Sequence, residues 1–529
     1  MPVGTVVSAQ VAALAVGIVG SVAGMAWWQA ALTAVAVATL CLCPMRGRTL
    51  LDWGWTAVRY RTGPGADTSA FTDVDAADGA TVGLCRAAGM VAAVIEVQPE
   101  PGAVTRLTRD TADHDQLLPL HMLAKSLTQH DISLSGIDVI AHGRRSDTTA
   151  STAACYDDLL GPLAAVAQRT VWVVVRFDAS TESAAVARRG GGNDGVGRVV
   201  SIAAQRIVRA LDVAGVRGRI LTAPEIAAAR SVIAGEPDEQ HRSWRYAAVP
   251  SGCSTGHAIA PREVNAALLS TIWATAALST TVTIRLRPGR ARDEFRFAAS
   301  CRSTTGAAPA GGCRPELTPT VGRDVEALRS HLPGAPDALD ALTPFATVDL
   351  AFLDAVPVAA GGCGQLIGSD ADGRGVTVRV VGPDIDVVTV AGDPYLARQV
   401  VLRAVATGAR IVVHSEQPQL WRQLVGAVAD PDRLLLAAPD TPVPPWATAV
   451  VLDGVGPDPL PRGVTAIRVH PDPVPVGGTP VSLVRVGGHD NRVILWANGT
   501  RYDLTLVTIP AETALLGSPR PAGDPLPAR

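Results

Sequence analysis

The first 45 residues constrain this chain most, because they contain no charged side chain. From Met1 to Met45 there is no Lys, Arg, Asp, Glu or His, and the first charged residue is Arg46. One helical pass through a bilayer core needs about 20 apolar residues. The run is therefore long enough for two passes, and it predicts a transmembrane helical hairpin over residues 1–45.

The position of the turn follows from three adjacent residues. Trp27 and Trp28 form a pair, which prefers the headgroup level of a membrane, and the amide of Gln29 is costly at the bilayer centre. We therefore expect one helix over residues 6–25 and a shorter return helix over residues 30–44.

Small residues in both predicted helices favour a close contact between them. Gly20 and Gly24 form a GxxxG pattern, and alanines recur in the second helix. The residues expected to pack the hairpin are Gly20, Gly24, Trp27 and Trp28.

The basic residues after the hairpin predict its orientation. Arg46, Arg48, Arg59 and Arg61 follow the second helix, whereas the outer turn carries no charge. The positive-inside rule then places both termini in the cytoplasm of a two-pass inner-membrane protein.

The N-terminal segment has two other interpretations. A secretory signal peptide needs a basic region before its apolar run, and it is about half as long as the run seen here. A single tilted span with a re-entrant flank remains open, because the second helix is short.

Composition narrows the range of functions. The chain has 529 residues, with 46 basic and 49 acidic side chains and a net charge of −3, so it lacks the basic excess of nucleic-acid-binding proteins. Lys125 is the only lysine. The eight cysteines form no CxxC pair, and this pattern favours reduced thiols used in packing.

Beyond the hairpin, the patterns predict two cytoplasmic α/β units with mixed sheets. Apolar runs flank Ala88 and Gly89 in the manner of a β-hairpin, and Asp393 followed by Pro394 is typical of a helix start. The predicted divisions are a basic juxtamembrane segment and linker at 46–78, a first α/β domain at 79–300, a Gly/Pro/Thr linker at 301–320, a second α/β unit with a β-rich end at 321–515, and a disordered tail at 516–529.

A glycine-rich stretch at 188–197 precedes a predicted helix and is the strongest candidate for a phosphate-binding loop. It does not match the P-loop pattern, because the glycines are not followed by Lys and then Ser or Thr. We interpret it as a surface loop.

Other candidate groups are also isolated. His114 and His121 lack a third metal ligand nearby, and the adjacent carboxylates Asp157 and Asp158 lack a partner base. Cys253 lies near His257 in sequence, but so short a spacing does not reliably build a catalytic pair. We expect no catalytic, cofactor or metal site.

Several blocks of the sequence carry a resemblance to a known family. They are LLPLHMLAKSL (117–127), HDISLSGIDVIAHG (130–143), YDDLLGP (156–162), RTVWVVVR (169–176), RGGG (189–192), LTAPE (221–225), GQLIGSDADG (364–373), QVVLR (399–403) and GARIVVH (408–414). Together with the N-terminal hairpin, they resemble EccE, a membrane core subunit of mycobacterial type VII (ESX) secretion systems.

This resemblance implies a non-enzymatic membrane subunit that supports protein export. It implies partners of the EccB, EccC and EccD types and a mycosin protease, with the chain at the periphery of the complex and ATP hydrolysis assigned to EccC. A membrane-tethered enzyme that binds a nucleotide-sugar or another small ligand is the alternative, and a small-ligand or lipid sensor also stays open.

Overall fold

The structure is a computed structural model. It describes residues 3–45, 48–63, 65–76, 78–147, 150–234, 243–291, 293–308, 314–382, 384–457, 459–473, 479–485 and 491–517. The predicted disordered tail at 516–529 lies almost entirely outside the described residues.

Three helices precede the sheets. They are Val3–Val22, Trp27–Leu42 and Leu50–Thr62, and a short strand pair, Pro44–Met45 with Arg48–Thr49, connects the second to the third. The first two helices pack against each other as a hairpin.

The first sheet has twelve described strands. In spatial order its main path is Ala247–Val249, Gly252–Ile259, Phe295–Thr305, Ser279–Pro288, Gly136–Arg144, Gln168–Asp178, Met90–Gln98, Thr81–Ala87 and Ala70–Asp75. Three short strands join it at the side, namely Arg217–Ile220, Leu317–Pro319 and Ala346–Val348.

Every described pairing in this sheet is antiparallel, so the prediction of a mixed sheet is wrong for the first unit. The reason is that its neighbouring strands are joined by turns and returning segments and not by crossover helices. The expected β-hairpin is confirmed: Ala88 and Gly89 both have positive φ, 49° and 83°, as a tight two-residue turn requires.

Helices cover both faces of the first sheet. On one face, Val173 and Ile95 pack with Val199 and Ile207 of helix Gly192–Val213. On the other face, Trp172 and Val174 pack with residues of helix Ala223–Ala234. The uninterrupted apolar run in strand Gln168–Asp178 follows from burial on both sides.

The second sheet also has twelve described strands and is mixed, as predicted. Its order is Leu434–Leu436, Ile411–Ser415, Ala449–Asp453, Thr465–His470, Val387–Ala391, Val481–Arg485, Arg492–Ala497, Thr500–Leu506, Gln365–Ser369, Gly375–Val378, Val104–Leu107 and Ala112–His114. Strands from Leu434–Leu436 through Val481–Arg485 pair in parallel, and the others pair antiparallel.

The structure also describes nine further helices and two 3₁₀ turns. They are Leu120–Lys125, Ala153–Leu160, Ser183–Ala187, Ala266–Ala274, Asp324–Ser330, Leu350–Ala355, Pro394–Ala406, Gln419–Val428 and Pro510–Leu516, with 3₁₀ turns at Pro261–Glu263 and Asp337–Leu342. Helix Pro394–Ala406 begins as the sequence predicts, since the Asp393 carboxylate accepts a hydrogen bond from the Tyr395 N–H at 2.7 Å.

The sheets do not follow the predicted divisions of the chain. Strand Phe295–Thr305 enters the predicted linker 301–320, and strands Leu317–Pro319 and Ala346–Val348 still belong to the first sheet. Conversely, an arm formed by Val104–Leu107 and Ala112–His114 leaves the first unit and pairs with Gly375–Val378 of the second sheet. Strand pairing over long sequence separations, which composition does not reveal, sets these boundaries.

The two units are joined by more than this arm. The Tyr156 hydroxyl accepts a hydrogen bond from the Leu366 N–H at 2.9 Å, and Arg433 pairs with Asp147 at 2.8 Å. Gln168 donates to the Thr407 carbonyl at 2.7 Å. Side chains from the segment after strand Gly136–Arg144 therefore hold the second unit against the first.

Candidate functional site

The N-terminal hairpin presents an extensive exposed apolar surface. Apart from Leu117, Val213 and Val232, every large apolar side chain that is exposed in the described part of the chain lies between residues 7 and 58. We call this set the hairpin surface; its members are Val7, Val11, Leu14, Val16, Ile18, Val19, Val22, Met25, Trp27, Trp28, Leu32, Val35, Leu40, Trp55 and Val58. Contiguous apolar surface on this scale marks an interaction with a membrane or with other proteins.

The two hairpin helices meet through small residues. A Cβ placed on Gly20 would lie 3.6 Å from the Ala30 Cβ, and one placed on Gly17 would lie 3.6 Å from the Ala34 Cβ. Ala30 is buried. The helices can approach this closely because these positions carry little or no side chain.

Gly24 does not take part in this contact. It lies in the turn with φ +83°, and no heavy atom lies within 4 Å of where its Cβ would be. The first helix ends at Val22, so the GxxxG spacing does not extend along one helical face.

Trp27 and Trp28 occupy the first turn of the second helix and not the predicted break. The Gln29 side chain accepts a hydrogen bond from the Ala26 N–H at 3.2 Å and so caps this helix at its start. The Gln29 amide, which we expected to end the first membrane segment, is thus hydrogen-bonded at a helix terminus. Both helices lie a few residues before their predicted positions. Trp27 remains 81% exposed.

The helix Leu50–Thr62 connects the hairpin to the first sheet. Thr49 and Asp52 form a reciprocal cap, in which the Asp52 N–H donates to Thr49 Oγ1 at 3.2 Å and the Thr49 N–H donates to Asp52 Oδ2 at 3.3 Å. Strand Ala70–Asp75 then joins the edge of the first sheet. The segment 46–78, predicted as a basic juxtamembrane segment and linker, therefore contains a helix and an edge strand.

Aromatic side chains dock this connecting helix on the first unit. The Trp244 ring contacts two side chains of this helix. Its centroid lies 6.3 Å from that of Trp53, and 4.9 Å from that of Tyr60 in an edge-to-face arrangement. Gly322 permits the close approach: its N–H donates to the Trp244 carbonyl, and a Cβ at its φ of +81° would come within 2.6 Å of Thr56.

The structure describes the side chains of two of the four arginines predicted to orient the hairpin. Arg46 and the side chain of Arg48 lie outside the described residues. Arg59 is largely exposed and lies 3.6 Å from Glu326 of the first unit, and Arg61 is exposed at the end of the connecting helix.

Sequence reasoning missed the docking residues Trp53, Tyr60 and Trp244. A signal for the first two was present, because Trp53, Thr56 and Tyr60 are spaced three and four apart and would lie on one face of a helix. Nothing in the sequence points to Trp244 as their partner.

The glycine-rich stretch at 188–197 is not a surface loop throughout, because residues 192–197 form the start of helix Gly192–Val213. The basic side chains around its first residues are engaged within the protein. Arg189 pairs with Asp131 at 2.9 Å and Arg188 pairs with the same carboxylate at 3.3 Å. Arg198 donates to the Arg189 carbonyl at 2.7 Å. The arginines of this loop are therefore directed to the fold and not to a ligand.

The other candidate groups are also separated. The His121 ring lies 2.5 Å from an Asp354 oxygen, and the His114 ring is hydrogen-bonded to Thr105 at 3.1 Å. Ser146 donates to Asp157 at 2.9 Å. Within the described ranges, no group of three or more His, Cys, Asp or Glu side chains has the geometry to hold a metal ion.

Among the helices that the structure describes, none combines the length and the apolarity needed to cross a bilayer.

Comparisons with known proteins give a consistent result. Residues 165–259, which run from strand Gln168–Asp178 to strand Gly252–Ile259 of the first sheet, match the EccE family model, described as a type VII ESX secretion system translocon. The chain is 27% identical over 331 residues to the ESX-5 secretion system protein EccE5 of Mycobacterium marinum, covering 58% of this chain and 80% of that protein.

Two further relatives match over shorter stretches. The ESX-1 secretion system protein EccE1 of Mycolicibacterium smegmatis is 27% identical over 199 residues, which cover 36% of this chain and 42% of that protein. The ESX-5 secretion system protein EccE5 of Mycobacterium tuberculosis is 25% identical over 264 residues, which cover 46% of this chain and 64% of that protein. The family model and these relatives all carry the EccE name, so the predicted resemblance to EccE proteins of ESX secretion systems is confirmed.

Proposed function

We propose that this chain is a non-enzymatic structural subunit of an inner-membrane ESX (type VII) secretion complex and supports the export of substrate proteins. The observation that carries the proposal is the hairpin surface: the exposed large apolar side chains are concentrated on the N-terminal segment of a chain from a secretion-system family. An apolar surface that the protein itself leaves uncovered favours burial in lipid or against another subunit.

The hairpin is proposed as a two-pass anchor in the inner membrane, with both termini in the cytoplasm. Its support is the absence of charge from residue 1 to residue 45, together with the arginines that follow. The connecting helix would then lie at the cytoplasmic surface of the membrane, because Trp55 and Val58 are exposed on it while Trp53 and Tyr60 face the first unit.

The two sheet units are proposed as the cytoplasmic body of the subunit, at the periphery of the complex. Partners of the EccB, EccC and EccD types and a mycosin protease are proposed from the family alone. The many hydrogen bonds and strand pairings between the units support a rigid body suited to holding neighbours in place.

Purification of the complex through a tag at the C-terminus of this chain tests the proposal. Membranes are solubilised in a mild detergent, and the proteins that accompany the tagged chain are identified by mass spectrometry. We expect the other membrane subunits of an ESX system in the eluate. Recovery of the tagged chain as a lone monomer from native membranes would refute the structural role.

A matched pair of variants tests whether the contact between the two hairpin helices is needed for assembly with partners. Gly20→Ile introduces a branched side chain where the helices meet, and we expect the chain to stay in the membrane but to recover several-fold less of its partners. Gly54→Ile makes the same change in the connecting helix, where no heavy atom lies within 4 Å of the Cβ position, and should leave recovery unchanged. Equal recovery from both variants would show that hairpin geometry does not matter for assembly.

A further inference from the structure

A small cavity lies at the junction of the two sheet units. Its volume is about 40 Å³, and apolar side chains from strands Gly136–Arg144 and Ser279–Pro288 and from helix Ala266–Ala274 form most of its wall. Ala112 and His114 of the arm that joins the second sheet close one side, and residues 357–359 close another.

One positively charged side chain lines this cavity. Arg169 is only 4% exposed, and its guanidinium lies 4.3 Å from the centre of the Trp273 ring. Its Nε atom has no hydrogen-bond partner, and no described carboxylate forms an ion pair with it. By contrast, the buried Arg145 donates to the carbonyls of Leu163, Gly161 and Ala274.

Burial lowers the pKa of Arg169. An arginine nevertheless stays protonated in proteins, so a buried guanidinium without an anionic partner is unfavourable. A bound anion would offset this cost directly.

The neighbouring polar groups limit the charge of such an anion. Burial, assisted by the positive charge of Arg169, lowers the pKa of His114 to about 3, so its ring is neutral at cellular pH. Ser270 contributes a hydroxyl to the wall but no charge. A single positive charge in a mostly apolar wall matches a monoanion better than a phosphate dianion.

We propose that this cavity is a binding site for a small organic carboxylate, with its carboxylate group on Arg169 and a short aliphatic chain against the apolar wall. The planar guanidinium matches a carboxylate in geometry, and the cavity volume corresponds to about three water molecules. This size fits two- to four-carbon acids. Because Ala112 and His114 belong to the arm, an occupied site would also strengthen the contact between the two units.

Equilibrium dialysis of the full-length detergent-solubilised protein tests this assignment. Radiolabelled acetate, propionate and butyrate are titrated at constant ionic strength, with chloride and inorganic phosphate as competitors. We expect saturable binding of one carboxylate per chain, displaced at least tenfold less effectively by chloride or phosphate than by the unlabelled acid. Absence of saturable binding, or equally effective displacement by chloride or phosphate, would overturn the proposal.

Three variants locate the site. Arg169→Met removes the charge, and Ala266→Phe fills the cavity from an exposed rim position while keeping Arg169; both should weaken binding at least tenfold. Arg262→Met removes an exposed charge just before the same helix and should bind as the wild type does. If Arg169→Met fails to fold by circular dichroism, Ala266→Phe decides the matter, and unchanged binding by that variant would refute the assignment.

Discussion

Arg403 and Glu512 form a buried bidentate ion pair between two helices that are more than a hundred residues apart. Arg403 Nε lies 2.7 Å from Glu512 Oε1, and Nη2 lies 2.9 Å from Oε2. Both side chains are almost completely buried, and Arg403 also donates to the Leu366 carbonyl at 2.7 Å. The pair fastens the C-terminal helix Pro510–Leu516 to helix Pro394–Ala406 of the second unit.

We expect Glu512→Leu to lower the free energy of unfolding of the second unit by about 3–5 kcal/mol, because it leaves the Arg403 charge buried without its partner. Urea denaturation followed by circular dichroism measures the effect. Asp503→Leu is the control, since its ion pair with Arg501 is about half exposed and should contribute less than about 1 kcal/mol. Equal effects of the two substitutions would contradict a structural role for the buried pair.

Asp138 is expected to make the first unit sensitive to acid. Burial alone would raise its pKa, but the charges of Arg287, Arg176 and Arg285 outweigh burial and lower the pKa to about 2. Because the folded-state pKa lies below the unfolded value of about 3.9, the stabilisation is present above about pH 4 and is lost as the pH falls toward 2.

Asp138→Asn should therefore lower stability at pH 7 by on the order of 2 kcal/mol and flatten its dependence on pH between 4 and 2. Urea denaturation at several pH values gives both quantities. Asp212→Asn, which changes an exposed carboxylate on helix Gly192–Val213, should keep the wild-type pH profile. An unaltered acid profile for Asp138→Asn would show that other groups control it.

Trp244→Ala should release the connecting helix from the first unit. Loss of two aromatic contacts removes about 1–3 kcal/mol of local stabilisation, so trypsin should cleave after Arg59 and Arg61 about tenfold faster. Trp55→Ala removes an exposed tryptophan from the same helix and should leave the rate unchanged. Equally rapid cleavage of both variants would mean that Trp244 does not hold the helix.

Leu14→Arg should release the chain from membranes if the hairpin is the anchor. An arginine at the centre of a membrane helix costs about 2.5–3.5 kcal/mol or more. Carbonate extraction and quantitative blotting measure the soluble fraction. Val213→Arg, at an exposed apolar position in the first unit, should stay with the membrane; retention of Leu14→Arg would argue against anchoring by this helix.

Reporter fusions test the proposed topology. Reporters placed at residue 2 and after Arg61 should be active only in their cytoplasmic form, because the uncharged turn cannot compete with the arginines that follow. A periplasmic signal at only one of the two positions would indicate a single crossing of the membrane.

Local patterns predicted local elements well. Ala88 and Gly89 form the expected turn, and Asp393 with Pro394 begins the expected helix, since both depend on backbone preferences of a few neighbouring residues. The resemblance to EccE proteins was also recognisable, because blocks of packing residues were spread along most of the chain.

Relations between distant residues were not predicted. The arm Val104–Leu107 joins the second sheet, and strand Phe295–Thr305 runs through a stretch whose glycines and prolines suggested a linker. Trp244 docks a helix nearly two hundred residues earlier, and Arg169 lies in a cavity formed by six separate segments.

The sequence by itself determined the charge-free N-terminal segment, the alternation of helices and strands and the resemblance to EccE proteins, because each of these depends on composition and short-range spacing. Only the tertiary structure decided strand partners, the antiparallel first sheet, the docking of the connecting helix and the environment of Arg169. The physical reason is that these features depend on which segments, distant in sequence, pack together and bury their apolar surfaces. Many such pairings are compatible with the same local sequence pattern.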